Sequence, residues 1–353
     1  MKKFFSMFLI STMALSFVGC GGAEEPKLSG GGVWEEEVEL PTIGICVYKY
    51  DDNFMSYTRQ AIEKAAEGKA ELIMNDSQND QAKQNDQIDT MIAKGVDSLM
   101  INLVDPGAAP AVVEKAKNAG IPIVLFNKEY QDGTHNLDYD KVWYVGTTSA
   151  ESGIIQGNVV LDGWNANPSW DRNGDGKMQY VMLMGEPGHP DAEARTEWVV
   201  KTIEEAGIPT EELGTQTAMW DAAQAKNMME TWLAANGDNI EIVLSNNDGM
   251  AMGAIEALKS EGYFTDDKYM PVVGIDALPE ALVLIQNGQL MGTVLNDPLG
   301  QGKASLELAI NAAMGKDVLE GTEWILDETK AVRVPYVGIT TENIAVAEEA
   351  YGI

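Results

Sequence analysis

TIGICVYKYDDNFMSYTRQAIEKAAEGKAELIMND, residues 42–76, decides how the rest of the chain is read. Residues 42–48 form an apolar run bounded by polar residues, which predicts a buried strand. Residues 54–67 follow a helical pattern, and 70–76 return to a strand. Strand, helix and strand of this length make a βαβ unit, which implies parallel strands with helices packed on the sheet. Working outward, helices are expected at 81–94, 109–119, 149–163, 192–206, 222–235, 250–261, 279–287 and 301–314. Strands are expected between them at 98–103, 122–126, 142–146, 180–184, 215–220, 242–245 and 272–275. The expected fold class is α/β, with two doubly wound, Rossmann-like lobes. Pro122, Pro298 and Pro335 sit near candidate crossover points. Stiff segments joining two lobes there would make a hinge.

A chain of 353 residues suits two domains and a substantial core. Its formal net charge of -31 excludes a nucleic-acid role, because a polyanion repels phosphates. The acidic residues are spread along the chain, which fits an exported soluble protein. Residues 1–20 read as a targeting segment: Lys2 and Lys3, an apolar core, then Phe17-Val18-Gly19-Cys20. This ending resembles a bacterial lipoprotein signal, with Cys20 as the lipidated residue. Residues 21–40 then form a flexible linker. The apolar run is too short to span a membrane. Cys46 is the only other cysteine, so no intrachain disulfide is expected in the mature protein, and Cys46 is assigned a buried apolar role.

A second stretch, DRNGDGKMQYVMLMGEPGHPDAEAR at 171–195, concentrates the chemistry. Asp171, Asn173 and Asp175 alternate, followed by Gly176 and Gln179. This is the spacing of the front half of an EF-hand calcium loop, with the carbonyl of Lys177 at the seventh position. The twelfth position, where that loop needs a bidentate Glu, is Met182 inside a strand. A carboxylate from elsewhere must therefore close the shell. After the strand, Gly185 to Arg195 is a Gly/Pro-rich turn followed by His189, Asp191 and Arg195, with Asp191 and Arg195 on one helical face. Polar groups just beyond a strand's C-terminal end are where open α/β sheets bind ligands. A capped, salt-bridged helix start accounts for the same residues equally well.

Longer motifs narrow the field. YKYDDNF (48–54), NDSQNDQ (75–81), KQNDQID (83–89), GEPGHPDAEAR (185–195), TAMWD (217–221), SNNDGMAMGA, GIDALPEAL, GTVLND and RVPYVG together closely resemble the bacterial galactose/glucose-binding proteins of the periplasmic binding protein type I family. The resemblance runs from about residue 42 to the C-terminus. The lipoprotein signal departs from it, since members from two-membrane cells are often freely periplasmic. The family implies two lobes joined by a three-segment hinge and closing on one hexose. The lobe limits expected are 41–120 plus 298–332 for the N-terminal lobe, and 121–297 plus 333–353 for the C-terminal lobe with the calcium loop.

The resemblance implies a sugar site of Asp52, Phe54, Asn102, His189, Asp191, Arg195, Trp220, Asn247, Asp276 and Asn296. It also implies Glu241 as the missing calcium ligand, completing Asp171, Asn173, Asp175, Lys177 and Gln179 around a structural Ca2+. The assignments make chemical sense. Asp, Asn, His and Arg suit the hydroxyl rim of an aldohexose, and Phe54 and Trp220 suit its two C–H faces.

The function implied is a monomeric, extracytoplasmic, lipid-anchored binding protein. It would deliver D-glucose or D-galactose to the permease of an ABC importer and present the loaded form to a chemotaxis receptor. The alternative is a receptor subunit for a two-component system with no transport role. The sequence shows no ATP-binding motif and no spanning helices, so energy and channel would lie on separate chains. A glycosidase using Asp52 with Asp191 or Asp276 is a competing class, against which no catalysis is expected. A sugar-sensing transcription regulator would need a basic helix-turn-helix where the export signal stands.

Overall fold

A computed structural model describes residues 39–353 except 132, 133, 135, 266 and 267. The targeting segment, Cys20 and almost all of the 21–40 linker lie outside the described residues.

The chain runs β1 (Thr42–Val47), α1 (Asn53–Ala66), β2 (Glu71–Asp76), α2 (Gln81–Lys94), β3 (Ser98–Ile101), α3 (Ala109–Ala119), β4 (Ile123–Phe126) and β5 (Val142–Gly146). It continues α4 (Ser149–Ala166), β6 (Met178–Met184), α5 (Pro190–Glu205), β7 (Thr210–Thr217), α6 (Ala222–Asn236), β8 (Ile242–Ser245), α7 (Asp248–Ser260), β9 (Val272–Val273), α8 (Pro279–Gln286) and β10 (Thr293–Leu295). Last come α9 (Pro298–Ala313), β11 (Ala331–Arg333), β12 (Val337–Ile339) and α10 (Ile344–Tyr351).

The first sheet has the order β11-β5-β4-β3-β1-β2, with every pairing parallel. The second has the parallel order β7-β6-β8-β9. The antiparallel pair β10–β12 adjoins it through bridges from Val273 to Gly292 and from Asp276 to Leu295. Both sheets are doubly wound, as expected from the alternation. In β1, Ile43, Ile45 and Val47 join the core with α1 and α9, whereas Cys46 joins Leu99 and Ile101 on the face covered by α2 and α3. Burial on both faces is why these strands read as unbroken apolar runs. Cys46 is fully buried, and burial pushes its thiol up to about 12.

The chain crosses between the sheets three times: after β5, between β10 and α9, and between β11 and β12. This corrects the expected lobe limits. β4 and β5 are strands of the first sheet, so the first crossing falls after Gly146 and not at residue 120. Pro298, the first residue of α9, and Pro335, between β11 and β12, stand at crossings. Pro122 stands inside the first lobe, just before β4.

Parallel strands deliver their C-terminal ends, and the N-termini of the following helices, to one edge of each sheet. Several site residues are themselves the caps of those helices. Asp52 caps α1 by accepting from Met55 N at 2.8 Å, and Asn247 caps α7 by accepting from Met250 N at 2.9 Å. His189 caps α5 through Nδ1, which accepts from Asp191 N at 3.1 Å.

Candidate sugar-binding site and candidate metal loop

The cap residues face a recess of about 340 Å3, mouth included. Nine of the ten expected sugar residues line it: Asp52 and Phe54 from the first lobe, Asn296 at the second crossing, and His189, Asp191, Arg195, Trp220, Asn247 and Asp276 from the second lobe.

Arg195 is the centre of the second-lobe half. Its Nη1 donates to the Asn246 carbonyl at 2.9 Å, and its Nη2 donates to Asp191 Oδ2 at 3.3 Å and to the Tyr336 hydroxyl at 3.2 Å. Asp276 Oδ1 lies 3.9 Å from Nη1. Ser149 donates to Asp191 Oδ1 at 2.6 Å, and Thr147 donates to the Tyr336 hydroxyl at 2.9 Å. Both carboxylates are thus held by side chains of the protein itself, Asp276 also accepting from Asn296 Nδ2 at 3.3 Å. Asp52 is held in the same way, accepting from the Tyr48 hydroxyl at 2.6 Å.

Because Nδ1 of His189 accepts a backbone N–H, its other nitrogen carries the proton and is a donor. Burial lowers the His189 pKa to about 3, so the ring is neutral. Burial pushes the Asp276 carboxyl well above the usual range, against the pull of Arg195. Trp220 meets His189 edge-on with ring centroids 5.2 Å apart. A Cβ on Gly185 would lie inside the Trp220 ring, so only glycine fits beneath it. The sequence reading placed Trp220 at the end of a strand at 215–220. Instead β7 ends at Thr217, and Trp220 sits in a turn with φ of 63°.

Asn102 does not line the recess. Fully buried at the end of β3, it accepts from Tyr48 N at 3.1 Å and donates to Phe126 O and Asn127 Oδ1, each at 3.2 Å. Its side chain braces the residues that do line it. Asn127, just past the end of β4 with φ of 63°, takes the place expected for Asn102. The signal was present in the sequence, since LFNKE puts a polar Asn directly after an apolar strand. Tyr48 and Met55 also line the recess.

The electrostatics select the ligand class. The recess holds three acidic side chains, Asp52, Asp191 and Asp276, the last favoured toward its protonated form by burial, and one guanidinium, Arg195. Such a set accepts from the hydroxyls of a neutral polyol and repels sugar phosphates and sugar acids.

The loop at 171–179 is a different kind of site. Asp171 Oδ1 and Oδ2 accept from Gly174 N and Gly176 N at 2.8 and 3.0 Å, and Asp175 Oδ1 accepts from Lys177 N at 2.9 Å. Asn173 Oδ1 accepts from Asp175 N at 2.8 Å. Glu241 reaches in from the start of β8, accepting from Arg172 N at 2.6 Å and Gln179 N at 3.1 Å. Burial raises its pKa. Oε1 of Gln179 is buried with no partner. Among the described residues, no group of three or more His, Cys, Asp or Glu side chains is gathered to hold a metal ion. The three acids of the expected donor set, Asp171, Asp175 and Glu241, are therefore not gathered around one point; their oxygens are taken up by N–H groups instead. The orphaned Gln179 oxygen and the approach of Glu241 to the loop fit a hard cation.

Two sheets facing each other across a polar, aromatic-lined recess define a class of solute-binding protein. The chain belongs to the periplasmic binding proteins: the family model for the periplasmic binding protein domain matches residues 43–317. It is 52% identical over 306 residues to the D-galactose/methyl-galactoside binding periplasmic protein MglB of Haemophilus influenzae, covering 86% of this chain and 90% of that one. It is 33% identical over 312 residues to a putative rhizopine-binding protein of Rhizobium meliloti, covering 86% and 91%. Among solved structures, an ABC transporter solute binding protein from Bacillus halodurans with bound myo-inositol superposes with a TM-score of 0.74 at 33% identity, covering 88% of this chain and 98% of that one.

Proposed function

We propose that this protein binds D-galactose and D-glucose outside the cytoplasm and delivers them to the permease of an ABC importer. The observation that carries this reading is the recess itself. Acidic side chains, a neutral His donor, a buried Arg and the Phe54 and Trp220 rings converge on it from both lobes. The relative at 52% identity, named for D-galactose and methyl-galactoside, supports the choice of hexose. A carboxylate accepts from several directions, so Asp52 suits either orientation of a 4-hydroxyl.

The reading extends to a lipid anchor at Cys20, to presentation of the loaded form to a chemotaxis receptor, and to one structural calcium ion. The ion would be held by Asp171, Asn173, Asp175, the Lys177 carbonyl, Gln179 and Glu241. It would draw the carboxylates of Asp171, Asp175 and Glu241 to one positive charge and tie the loop to β8.

The test is calorimetric titration of the purified mature protein with galactose, glucose, ribose, arabinose, galactose 1-phosphate and myo-inositol, with and without a calcium chelator. Galactose and glucose should bind, pentoses much more weakly, and the phosphate not at all. Equal binding of ribose and glucose would overturn the hexose assignment. Tighter binding of myo-inositol, the ligand in the Bacillus halodurans structure, would move the protein to cyclitols.

A further inference from the structure

Asp276 is held in an unusual backbone conformation. Its φ is 120°, and that of Ala277 is 55°, both where residues other than glycine are rarely found. Such geometry persists only where neighbours fix it. The amide of Asp276 is fixed by the Val294 carbonyl at 2.8 Å. On its carbonyl side the backbone offers only a long contact, from Asn296 N at 3.5 Å. The short bond there comes from the Tyr351 hydroxyl on α10, at 2.8 Å. Burial raises the Tyr351 pKa, which keeps the phenol protonated and able to donate.

Tyr351 also reaches the other lobe. Its ring meets that of Tyr57 edge-to-face, with centroids 4.9 Å apart and planes at 88°. Tyr57 lies on α1, whose first turn carries Phe54 and Met55 and whose cap is Asp52. One tyrosine therefore holds a second-lobe recess residue by its backbone while touching the first-lobe helix that bears the opposing recess residues.

We propose that Tyr351 is a positioning residue for Asp276, and that its contact with Tyr57 makes this positioning depend on closure of the two lobes. The proposal rests on the hexose reading above for its ligand. When the lobes meet, α1 presses the Tyr351 ring into place. The hydroxyl then fixes the Asp276 peptide, and the carboxylate is aimed into the recess beside Arg195 and Asn296. Removing the hydroxyl leaves a recess with the same side chains but a freer Asp276.

The experiment compares the wild-type chain with Tyr351→Phe, Tyr57→Ala and Tyr139→Phe. Tyr351→Phe keeps the ring and loses only the bond to Asp276. Tyr139→Phe loses a like bond, to the Ile121 carbonyl at 3.0 Å, far from the recess. Galactose and glucose affinities are measured by calorimetry, melting temperature without sugar by scanning, and amide exchange over residues 272–290 by mass spectrometry. Tyr351→Phe should weaken hexose binding by roughly three- to tenfold, the scale of one hydrogen bond, with little change in sugar-free melting. Tyr57→Ala should show a smaller loss in the same direction, and Tyr139→Phe none. Exchange around Asp276 should quicken in Tyr351→Phe. Affinity within twofold of wild type, or a melting loss without an affinity loss, would overturn the proposal. If the wild-type chain binds neither hexose, the ligand reading fails by itself. Exchange then decides the role of Tyr351: unchanged rates around Asp276 overturn it, and faster rates sustain it.

Discussion

The recess and the 171–179 loop are both built from carboxylates and amides, yet they solve opposite problems. In the recess Arg195, Asp191 and Asp276 are buried and restrain one another, and the half-buried Asp52 is held by the Tyr48 hydroxyl. The geometry is set by side chains from distant elements. In the loop the oxygens of Asp171 and Asp175 are exposed and accept from amides two to five residues away. Its geometry is set by its own backbone, helped by Gly174 and Gly176 at φ of 69° and 76°. The contrast teaches what each can lose. A recess residue removed leaves a buried charge unpaired, whereas a loop residue removed leaves a solvated turn.

The largest effect on sugar binding should follow from breaking the recess at its centre. Arg195→Met strips the partner from two buried carboxylates, a change that costs about 3–5 kcal/mol when a buried pair is broken. Hexose binding should disappear in calorimetry, and sugar-free melting should fall as well. Normal affinity in this variant would mean the charges are not organised around Arg195. Next comes Trp220→Ala, expected to weaken binding by roughly 1–3 kcal/mol with little change in sugar-free melting. Lost melting with normal sugar binding would make Trp220 a core residue and not a wall of the recess.

A third test uses pH. The folded His189 pKa, about 3, lies below its ordinary value of 6.5 because the ring is buried. Above 6.5 both folded and unfolded rings are neutral, and the contribution is fully present. As pH falls below 6.5 the unfolded state takes up a proton the folded state refuses, so stability declines toward the folded value. At pH 5.5 the loss attributable to this ring is about 1 kcal/mol. Asp248 acts with the opposite sign. Burial raises its pKa from 3.8 to about 6, so its contribution is present below 3.8 and is lost as pH rises through about 6. Comparing wild type with His189→Gln isolates the histidine. The variant should gain on wild type in denaturant melts as pH drops from 7 to 5.5. A constant gap would show that His189 protonates in the fold.

The βαβ rhythm located the buried strands because two-sided burial writes itself as apolar runs. The polar edge strand β7, TEELGTQT, was only partly seen, since exposure leaves no such run. β11, β12 and α10 went unread: the two strands are three residues each, too short for a period. The lobe limit was misplaced before β4, where Pro122 suggested a crossover, although β3, α3 and β4 form one more βαβ unit of the first sheet; which sheet a strand joins is a long-range pairing that no local pattern encodes. The motif resemblance led to the nine lining residues, but it chose the Asn at the end of β3 over the one after β4. Both follow apolar strands, and only the left-handed turn at Asn127 separates a residue that faces the recess from one that braces it.

The smallest expected effect on sugar binding is the sharpest test of the comparison, because there the loop should be altered and the recess should not notice. The loop's acidic oxygens already accept its own amides, but Gln179 Oε1 has no partner and Glu241 is a buried carboxylate held only by N–H groups. An ion that fills this arrangement binds the folded state alone and stabilises it by mass action. A chelator should therefore lower the wild-type melting temperature by a few degrees and leave hexose affinity within twofold. Glu241→Gln removes one charge and one of two equivalent oxygens without changing shape, so its melting should start lower and no longer respond to chelator. Met182→Glu, which restores the sequential twelfth ligand, should not rescue it, because Met182 is buried in the strand core with Tyr180 and Leu244. A chelator that shifts wild type and Glu241→Gln equally would remove Glu241 from the ligand set. A chelator that abolished sugar binding would erase the distinction between the two sites, for the loop would then be shaping the recess and not merely the lobe that carries it.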